Sequence, residues 1–161
     1  MKRKKDEPPA FILLYVDDGV IIGTEKIIGE TMTKLSQMVK VKDLGIMKHF
    51  VGCHIRQTQD KKTIYIHQPK LIKHLQQEFE NEVHTTRILS TPEAARMVIM
   101  RPEPDDLVLT PAQQTKYRSG VGMLLYLVKH SRPDIANAVR ELTKVLDKAT
   151  PAHWKAMIRV F

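Results

Sequence analysis

The stretch FILLYVDDGVIIG, residues 11–23, decides the fold. Two apolar runs, residues 11–14 and 20–22, flank a short segment that holds the adjacent acids Asp17 and Asp18. Short runs of β-branched and aromatic residues on either side of a turn-forming segment are typical of two paired strands. We therefore expect a β-hairpin whose tip carries the two carboxylates.

A helix and a second hairpin are expected to follow. Apolar residues recur at helical spacing through residues 25–40, which predicts an amphipathic helix with its apolar stripe packed inward. Residues 47–56 predict a strand and residues 63–67 its partner, because both are rich in β-forming residues. The polar residues 57–62 between them are expected to form the turn.

The next segments indicate where one lobe ends. Pro69 suits the first turn of a helix that we expect to end near Asn81. Residues 82–110 contain three prolines and no steady hydrophobic period. They therefore predict a long connecting segment and the boundary between two lobes.

The last third of the chain is expected to be helical. Thr110 and Thr150 each precede a proline, and threonine followed by proline is typical of an N-cap and the first helical residue. Pro133, which follows Arg132, predicts the start of a third helix. The predicted helices cover residues 111–129, 133–147 and 151–160.

Size and composition favour a folded protein of the cell interior. The chain has 161 residues, of which 42% are hydrophobic and 27% charged, as in ordinary globular proteins. Its single cysteine, Cys53, excludes an internal disulfide and a cysteine zinc cluster. No apolar run approaches the roughly 20 residues of a membrane span. We expect a soluble intracellular protein, in the cytoplasm or the nucleus, with no membrane partner.

The net charge of +8 is concentrated at the end of the chain, since residues 112–161 carry nine bases against three acids. A basic lobe predicts a polyanion partner such as nucleic acid, although a solvated helix face has the same composition. The candidate binding residues are Lys116, Arg118, Lys129, Arg132, Arg140, Lys144 and Lys148.

Asp17 and Asp18 are candidates for a metal site. Adjacent carboxylates repel each other unless a cation lies beside them, and Mg²⁺ prefers such hard oxygen ligands. The alternative is an Asp-Asp-Gly turn that is present for its backbone conformation alone.

The string Tyr15-Val16-Asp17-Asp18 resembles the Tyr-x-Asp-Asp hairpin of reverse transcriptases, in the form usual in copia-type LTR retrotransposons. Further segments are similar to successive blocks of that family, in its order and at about its spacing. They are VKDLG (41–45), HFVG (49–52), IYIHQ (64–68), STP (90–92), YRSGVG (117–122), LLYL (124–127), RPDIA (132–136) and AHWK (152–155).

The resemblance implies an α+β fold. A partial reverse-transcriptase palm, made of two β-hairpins with packed helices, would be followed by a mostly helical lobe like the thumb or connection. The implied division is a basic tail at 1–10, a palm-like segment at 11–82, a linker at 83–110 and a helical basic segment at 111–161.

The resemblance also implies roles for individual residues. Asp17 and Asp18 would be catalytic and bind Mg²⁺, Tyr15 and Val16 would lie near the primer terminus, and the region of Phe50 and Gly52 would grip the primer. The implied partner is an RNA or DNA template-primer.

In that family a further palm aspartate and the fingers precede this hairpin, and the ten residues before Phe11 are too few to supply them. We therefore expect a fragment of a Mg²⁺-dependent RNA-directed DNA polymerase that is inactive alone unless an upstream polymerase polypeptide completes the site. Ile12 and Leu14 would then lack cover, which predicts self-association. The alternatives are a non-catalytic nucleic-acid-binding module that uses the basic last third, and a relic without function.

Overall fold

The computed structural model of the chain describes residues 9–83, 90–92 and 98–161. The predicted tail at 1–10 and linker at 83–110 therefore lie partly outside the described residues. The described part combines two small sheets with α-helices, in agreement with the expected α+β class. The strands are β1 (Phe11–Tyr15), β2 (Asp18–Ile22), β3 (His49–Phe50), β4 (Cys53–Gln57) and β5 (Ile64–His67). The helices are α1 (Glu25–Met38), α2 (Pro69–Glu78), α3 (Glu80–Val83), α4 (Pro111–His130), α5 (Ala136–Thr143) and α6 (Pro151–Val160).

The expected first hairpin is present. Strands β1 and β2 pair antiparallel, with Phe11 opposite Ile22 and Tyr15 opposite Asp18. The two strands form a sheet of their own, and all five residues of β1 are exposed. Ile12 is 51% exposed and Leu14 78%, so the apolar surface expected to lack cover does lack it.

The second sheet differs from the prediction of one long strand over residues 47–56. That stretch is instead a tight hairpin, in which Phe50 of β3 lies opposite Cys53 of β4. Val51 and Gly52 both have positive φ, 45° and 70°. Positive φ at both central residues is the conformation that matches a two-residue hairpin turn to the strand twist. Strand β5 completes the order β3-β4-β5, as the predicted partner.

Helix α1 forms as expected, with Thr24 as its N-cap. Its apolar stripe is less buried than the prediction of an inward-packed stripe implied. Ile27, Ile28, Met32 and Leu35 are only half-buried. Cys53 is the one buried residue among residues 9–65, since two small sheets cover little apolar surface.

The chain divides into two compact units, the first ending at Tyr65 and the second comprising Ile66–Phe161. This division lies earlier than the lobe boundary expected at 83–110. The reason is that α2 packs against α4, which places Leu75 and Phe79 in the core of the second unit. We call the second unit the helical unit. Its core also contains Tyr117, Val121, Leu124, Val139, Leu142 and Met157.

The described part of the predicted linker packs on the helical unit. Ile99 and Leu109 are buried in its core. The backbone N–H of Ile99 donates to Oε2 of Glu141 at 3.2 Å, and that of Leu109 donates to the Ala149 carbonyl at 2.8 Å. Residues 98–110 are therefore part of this unit and not only a connection.

The helix boundaries of the last third follow the predicted caps. Thr110 and Thr150 both form capping boxes, with a proline in the first turn of α4 and α6. The helix expected over 133–147 is shorter, because a 3₁₀ turn at Pro133–Ile135 precedes α5 and α5 ends at Thr143. None of the helices within the described ranges combines the length and apolar composition that crossing a bilayer requires.

Gly120 lies where α4 passes close to α6. A Cβ atom at this position would lie 2.7 Å from Sδ of Met157 and 2.8 Å from Cζ of Phe79, both well inside van der Waals contact. Met157 and Phe79 are fully buried, so neither side chain has open space into which it can move. The lack of a side chain at Gly120 is what permits this close approach.

Candidate active-site hairpin and basic residues

The turn between β1 and β2 consists of Val16 and Asp17. Asp17 thus lies in the turn, while Asp18 is the first residue of β2 and pairs with Tyr15. Both acids are exposed, as expected for a hairpin tip. The prediction that the tip carries both is therefore correct for Asp17 and shifted by one position for Asp18.

Val16 has an unusual backbone conformation for its type. Its φ is 55°, in the left-handed region that β-branched residues rarely adopt, and its side chain is 92% exposed. Two-residue hairpin turns require positive φ, and no glycine is available at this position. The sequence showed the turn but not that Val16 would take the strained position beside Asp17.

The two carboxylates have the right chemistry for Mg²⁺ but do not make a complete protein site. Oxygen ligands suit this ion, which is often held by one or two carboxylates with water and substrate phosphates as the other ligands. Within the described ranges, no group of three or more His, Cys, Asp or Glu side chains is placed to hold a metal ion. The hairpin therefore offers two ligands at most from the described residues.

The four residues assigned to the primer lie at two hairpin turns. Tyr15 and Val16 are exposed and lie directly before Asp17. Phe50 is half-buried at the end of β3, and Gly52 is exposed in the β3–β4 turn. The structure thus brings Tyr15 and Val16 to the carboxylates and places Phe50 and Gly52 at the other turn.

Four of the candidate nucleic-acid-binding bases have a carboxylate partner in the helical unit. Lys116 Nζ lies 3.3 Å from Glu82 Oε1 and 4.9 Å from the centre of the Phe79 ring. Arg132 Nη2 lies 2.7 Å from Asp134 Oδ2. Arg140 and Lys144 share Glu141, at 3.3 Å and 2.5 Å.

The electrostatics of these pairs agree with their geometry. The hydrogen bond from Lys144 lowers the pKa of the Glu141 carboxyl, and the hydrogen bond from Arg132 lowers the pKa of Asp134. Arg118, Lys129 and Lys148, in contrast, form no ion pair with any described residue. The basic residues named from the sequence therefore form two groups. Four are paired with a carboxylate, and three have no ion pair with a described residue.

A surface cavity of about 390 Å³ lies between residues 98–106 and α6 and was not predicted from the sequence. Arg101, Asp106 and His153 are among the side chains that line it. The proline-rich segment had no hydrophobic period that could have indicated this packing.

His153 closes the capping box of α6 at the edge of that cavity. Its Nδ1 accepts from the Thr150 backbone N–H at 3.0 Å, so the ring fits here in its neutral form. Burial lowers the pKa of His153, while a hydrogen bond with the Met100 backbone and the charge of Asp106 act in the opposite direction.

We expect acid to destabilise the helical unit through His153. Since folding lowers the pKa of this imidazole, the unfolded chain takes up the proton more readily. The free energy of unfolding should therefore fall as the pH drops below about 6.5, the value for an unperturbed histidine. His153→Gln keeps a capping partner, as Gln113 does in α4, but does not titrate. Urea unfolding at pH 7.5 and 5.5 should show the larger loss in the wild type; equal losses would contradict this assignment.

Comparison with known proteins finds similarity to proteins of transposons. It is 30% identical over 159 residues to a retrovirus-related Pol polyprotein from transposon TNT 1-94 of Nicotiana tabacum. It is 28% identical over 160 residues to a putative transposon Ty5-1 protein of Saccharomyces cerevisiae, and 28% identical over 151 residues to a retrovirus-related Pol polyprotein from transposon RE2 of Arabidopsis thaliana.

These similarities cover 97%, 98% and 93% of the chain but only 12%, 49% and 10% of the three relatives. The chain therefore spans half or less of the length of the curated relatives that it matches. No protein-family model matches the chain, and no solved structure matches it. The curated relatives are retrotransposon proteins, similar to this chain along almost its whole length.

Proposed function

We propose that the chain is a segment of the RNA-directed DNA polymerase (reverse transcriptase) region of a retrotransposon polyprotein and contributes its metal-binding hairpin. The observation that carries the proposal is the similarity to retrotransposon Pol polyproteins over nearly the whole chain. The Tyr-Val-Asp-Asp turn, with Asp17 exposed between two paired strands, supports it.

In this proposal Asp17 and Asp18 hold Mg²⁺ together with substrate phosphates. When bound, the ion supplies charge neutralisation at the phosphoryl group that is transferred. No group of three metal-binding side chains occurs among the described residues, and the proposal assigns a further carboxylate to an upstream polymerase polypeptide. That polypeptide and an RNA or DNA template-primer are the proposed partners.

Tyr15, Val16, Phe50 and Gly52 are the proposed primer contacts. Tyr15 and Val16 directly precede Asp17 and are exposed, so a primer terminus could contact them beside the carboxylates. Phe50 ends β3 and Gly52 lies exposed in the turn that follows, where the absence of a side chain suits contact with a nucleic-acid strand.

We expect the purified chain alone to incorporate no nucleotide on a primed RNA template with Mg²⁺. A chimera, in which this chain replaces the matched segment of the tobacco TNT 1-94 polyprotein, should incorporate nucleotides. Asp17→Asn should lower the chimera's rate about 100-fold or more, because a lost metal carboxylate removes roughly 3 kcal/mol of transition-state stabilisation. The rate of incorporation measures both effects.

Asp43→Asn is the matched control. Asp43 is an exposed acid of the first unit whose Oδ1 accepts from the Gly45 backbone N–H, and asparagine can keep that hydrogen bond. This variant should leave the chimera's rate unchanged. Equal rates for Asp17→Asn and the unsubstituted chimera would overturn the proposal, and incorporation by the chain alone would overturn the need for an upstream polypeptide.

A non-catalytic nucleic-acid-binding module is the second candidate function. The basic excess of residues 112–161 favours this function, since that segment contains nine basic and only three acidic residues. Binding of this kind should persist in Asp17→Asn and weaken as the salt concentration rises.

A further inference from the structure

His49 and His54 face each other across the tight β3–β4 hairpin. They are direct cross-strand partners, and the centres of their rings lie 4.2 Å apart. We call these two residues the histidine pair. A metal ion held by two imidazole nitrogens at about 2.0–2.1 Å keeps those nitrogens about 3.3 Å apart. The rings stand at 87° to each other, and a rotation of the exposed His49 side chain brings its nitrogens towards such a position.

The backbone of the hairpin fixes the histidine pair in register. The Ile55 N–H donates to the Lys48 carbonyl at 2.8 Å, so the pair of residues next to the histidines is hydrogen-bonded. Hydrogen-bonded and non-hydrogen-bonded pairs alternate along antiparallel strands, which makes His49 and His54 a non-hydrogen-bonded pair. Side chains approach each other most closely at such pairs. The two imidazoles are therefore held side by side before any ligand binds.

The surroundings of the pair favour nitrogen ligands. His49 is exposed and His54 is half-buried, so an ion can reach them from solvent. Each imidazole has two ring nitrogens, and one can bind a metal while the other keeps a hydrogen-bond partner. Cys53 is buried, and its side chain points to the opposite face of the strand from that of His54. The ligand set is thus two imidazoles without a thiolate.

We propose that the histidine pair binds a divalent transition-metal ion of the kind that imidazole prefers, such as Zn²⁺ or Cu²⁺. Water supplies the remaining ligands, because the described residues include no group of three His, Cys, Asp or Glu side chains that could hold an ion. The bound ion links β3 to β4 and holds the turn that contains Gly52. The inference does not rest on the proposed function, since Asp17 and Asp18 offer oxygen ligands and this pair offers nitrogens.

Calorimetric titration of the full chain with Zn²⁺ tests the proposal. His49→Gln should bind Zn²⁺ at least about tenfold more weakly than the wild type, because even the loss of a residue that only supports a metal ligand costs about 10–100-fold. Position 49 is exposed, so glutamine fits there, and circular dichroism verifies that the fold is retained. Unchanged affinity in this variant would overturn the proposal.

His74→Gln is the matched control. His74 is exposed on α2, so this variant also removes one accessible imidazole from the chain. It should bind Zn²⁺ as the wild type does. Equal losses of affinity in His49→Gln and His74→Gln would overturn the proposal, since the number of histidines alone would then account for binding.

Hydrogen exchange of the Ile55 amide gives a readout that needs no variant. This N–H lies next to the histidine pair, in its hydrogen bond to the Lys48 carbonyl. At a free Zn²⁺ concentration about 100 times the dissociation constant, exchange should slow by up to about 100-fold, because opening of the hairpin has to release the ion. An exchange rate that is insensitive to Zn²⁺ would contradict binding across the two strands.

Two further arms separate this site from the carboxylates of the first hairpin. Mg²⁺ at about 100 times the Zn²⁺ concentration should leave the affinity for Zn²⁺ unchanged, because Mg²⁺ prefers oxygen ligands. Displacement of Zn²⁺ by Mg²⁺ would overturn the proposal. Asp17→Asn should bind Zn²⁺ as the wild type does, and a loss as large as that of His49→Gln would instead assign the ion to the first hairpin.

Discussion

Replacing Phe79 with alanine should lower the free energy of unfolding of the helical unit by about 3–5 kcal/mol. The Phe79 ring is fully buried and lies 4.8 Å from the Phe161 ring and 5.8 Å from the Trp154 ring, centre to centre. The Lys116 ammonium lies 4.9 Å from its centre. Truncation would thus leave a cavity and also remove ring and cation–π contacts.

Trp154 provides the measurement for this variant. It is the one tryptophan of the sequence, so its fluorescence reports on the surroundings of Phe79 during urea unfolding. Leu125→Ala is the control, because Leu125 is 42% exposed on α4 and its truncation should cost less than about 1 kcal/mol. An unfolding midpoint for Phe79→Ala equal to that of the control would contradict the observed packing.

Replacing Gln114 with methionine should lower the free energy of unfolding by about 2–6 kcal/mol. Gln114 is buried, its Nε2 donates to the Leu146 carbonyl at 2.8 Å, and its Oε1 accepts from the Ala149 backbone N–H at 2.8 Å. Methionine has a similar size but leaves both backbone groups without these partners, and an unsatisfied buried group costs about 1–3 kcal/mol. The side chain therefore fastens α4 to the connection between α5 and α6.

The neighbouring Gln113 gives a matched comparison for that experiment. Gln113 belongs to the capping box of α4 and is exposed, so Gln113→Met should cost only about 1 kcal/mol. Urea unfolding of both variants at neutral pH measures the difference. Similar losses at the two positions would mean that the buried hydrogen bonds of Gln114 contribute little.

Local signals in the sequence were sufficient for most of the elements. Two apolar runs on either side of Asp17 and Asp18 predicted the β1–β2 hairpin, and the threonine–proline pairs at Thr110 and Thr150 predicted the starts of α4 and α6. These features depend on residues within one or two turns of each other. Short-range physics therefore determines them, and they can be derived without knowledge of the rest of the chain.

The errors concern contacts between distant segments. Residues 98–110 resembled a linker because their attachment depends on Glu141 and Ala149, some 40 residues further along. The prediction of one strand over residues 47–56 was wrong, because the chain turns at Val51 and Gly52. The glycine was the local signal for that turn. The sequence around Cys53 did not indicate that this residue would be the one buried residue among residues 9–65.

The candidate site was predictable in position but not in its electrostatics. The sequence placed Asp17 at an exposed turn, where the structure has it. The sequence did not show that Lys116, unlike Arg118, is paired with a carboxylate, because the partner of Lys116 is Glu82, which is 34 residues away. The pairing of Lys144 with Glu141 spans only one helical turn and could have been derived from the spacing.

The close approach at Gly120 has a consequence for how this protein can vary. Positions 79, 120 and 157 share one fixed volume, because a side chain at position 120 would occupy space that the Phe79 and Met157 side chains already fill. A gain in size at one position therefore has to be matched by a loss at another. Substitutions at these three sites should be strongly non-additive, and a larger residue at 120 becomes tolerable only in a chain that already carries a smaller one at 79 or 157.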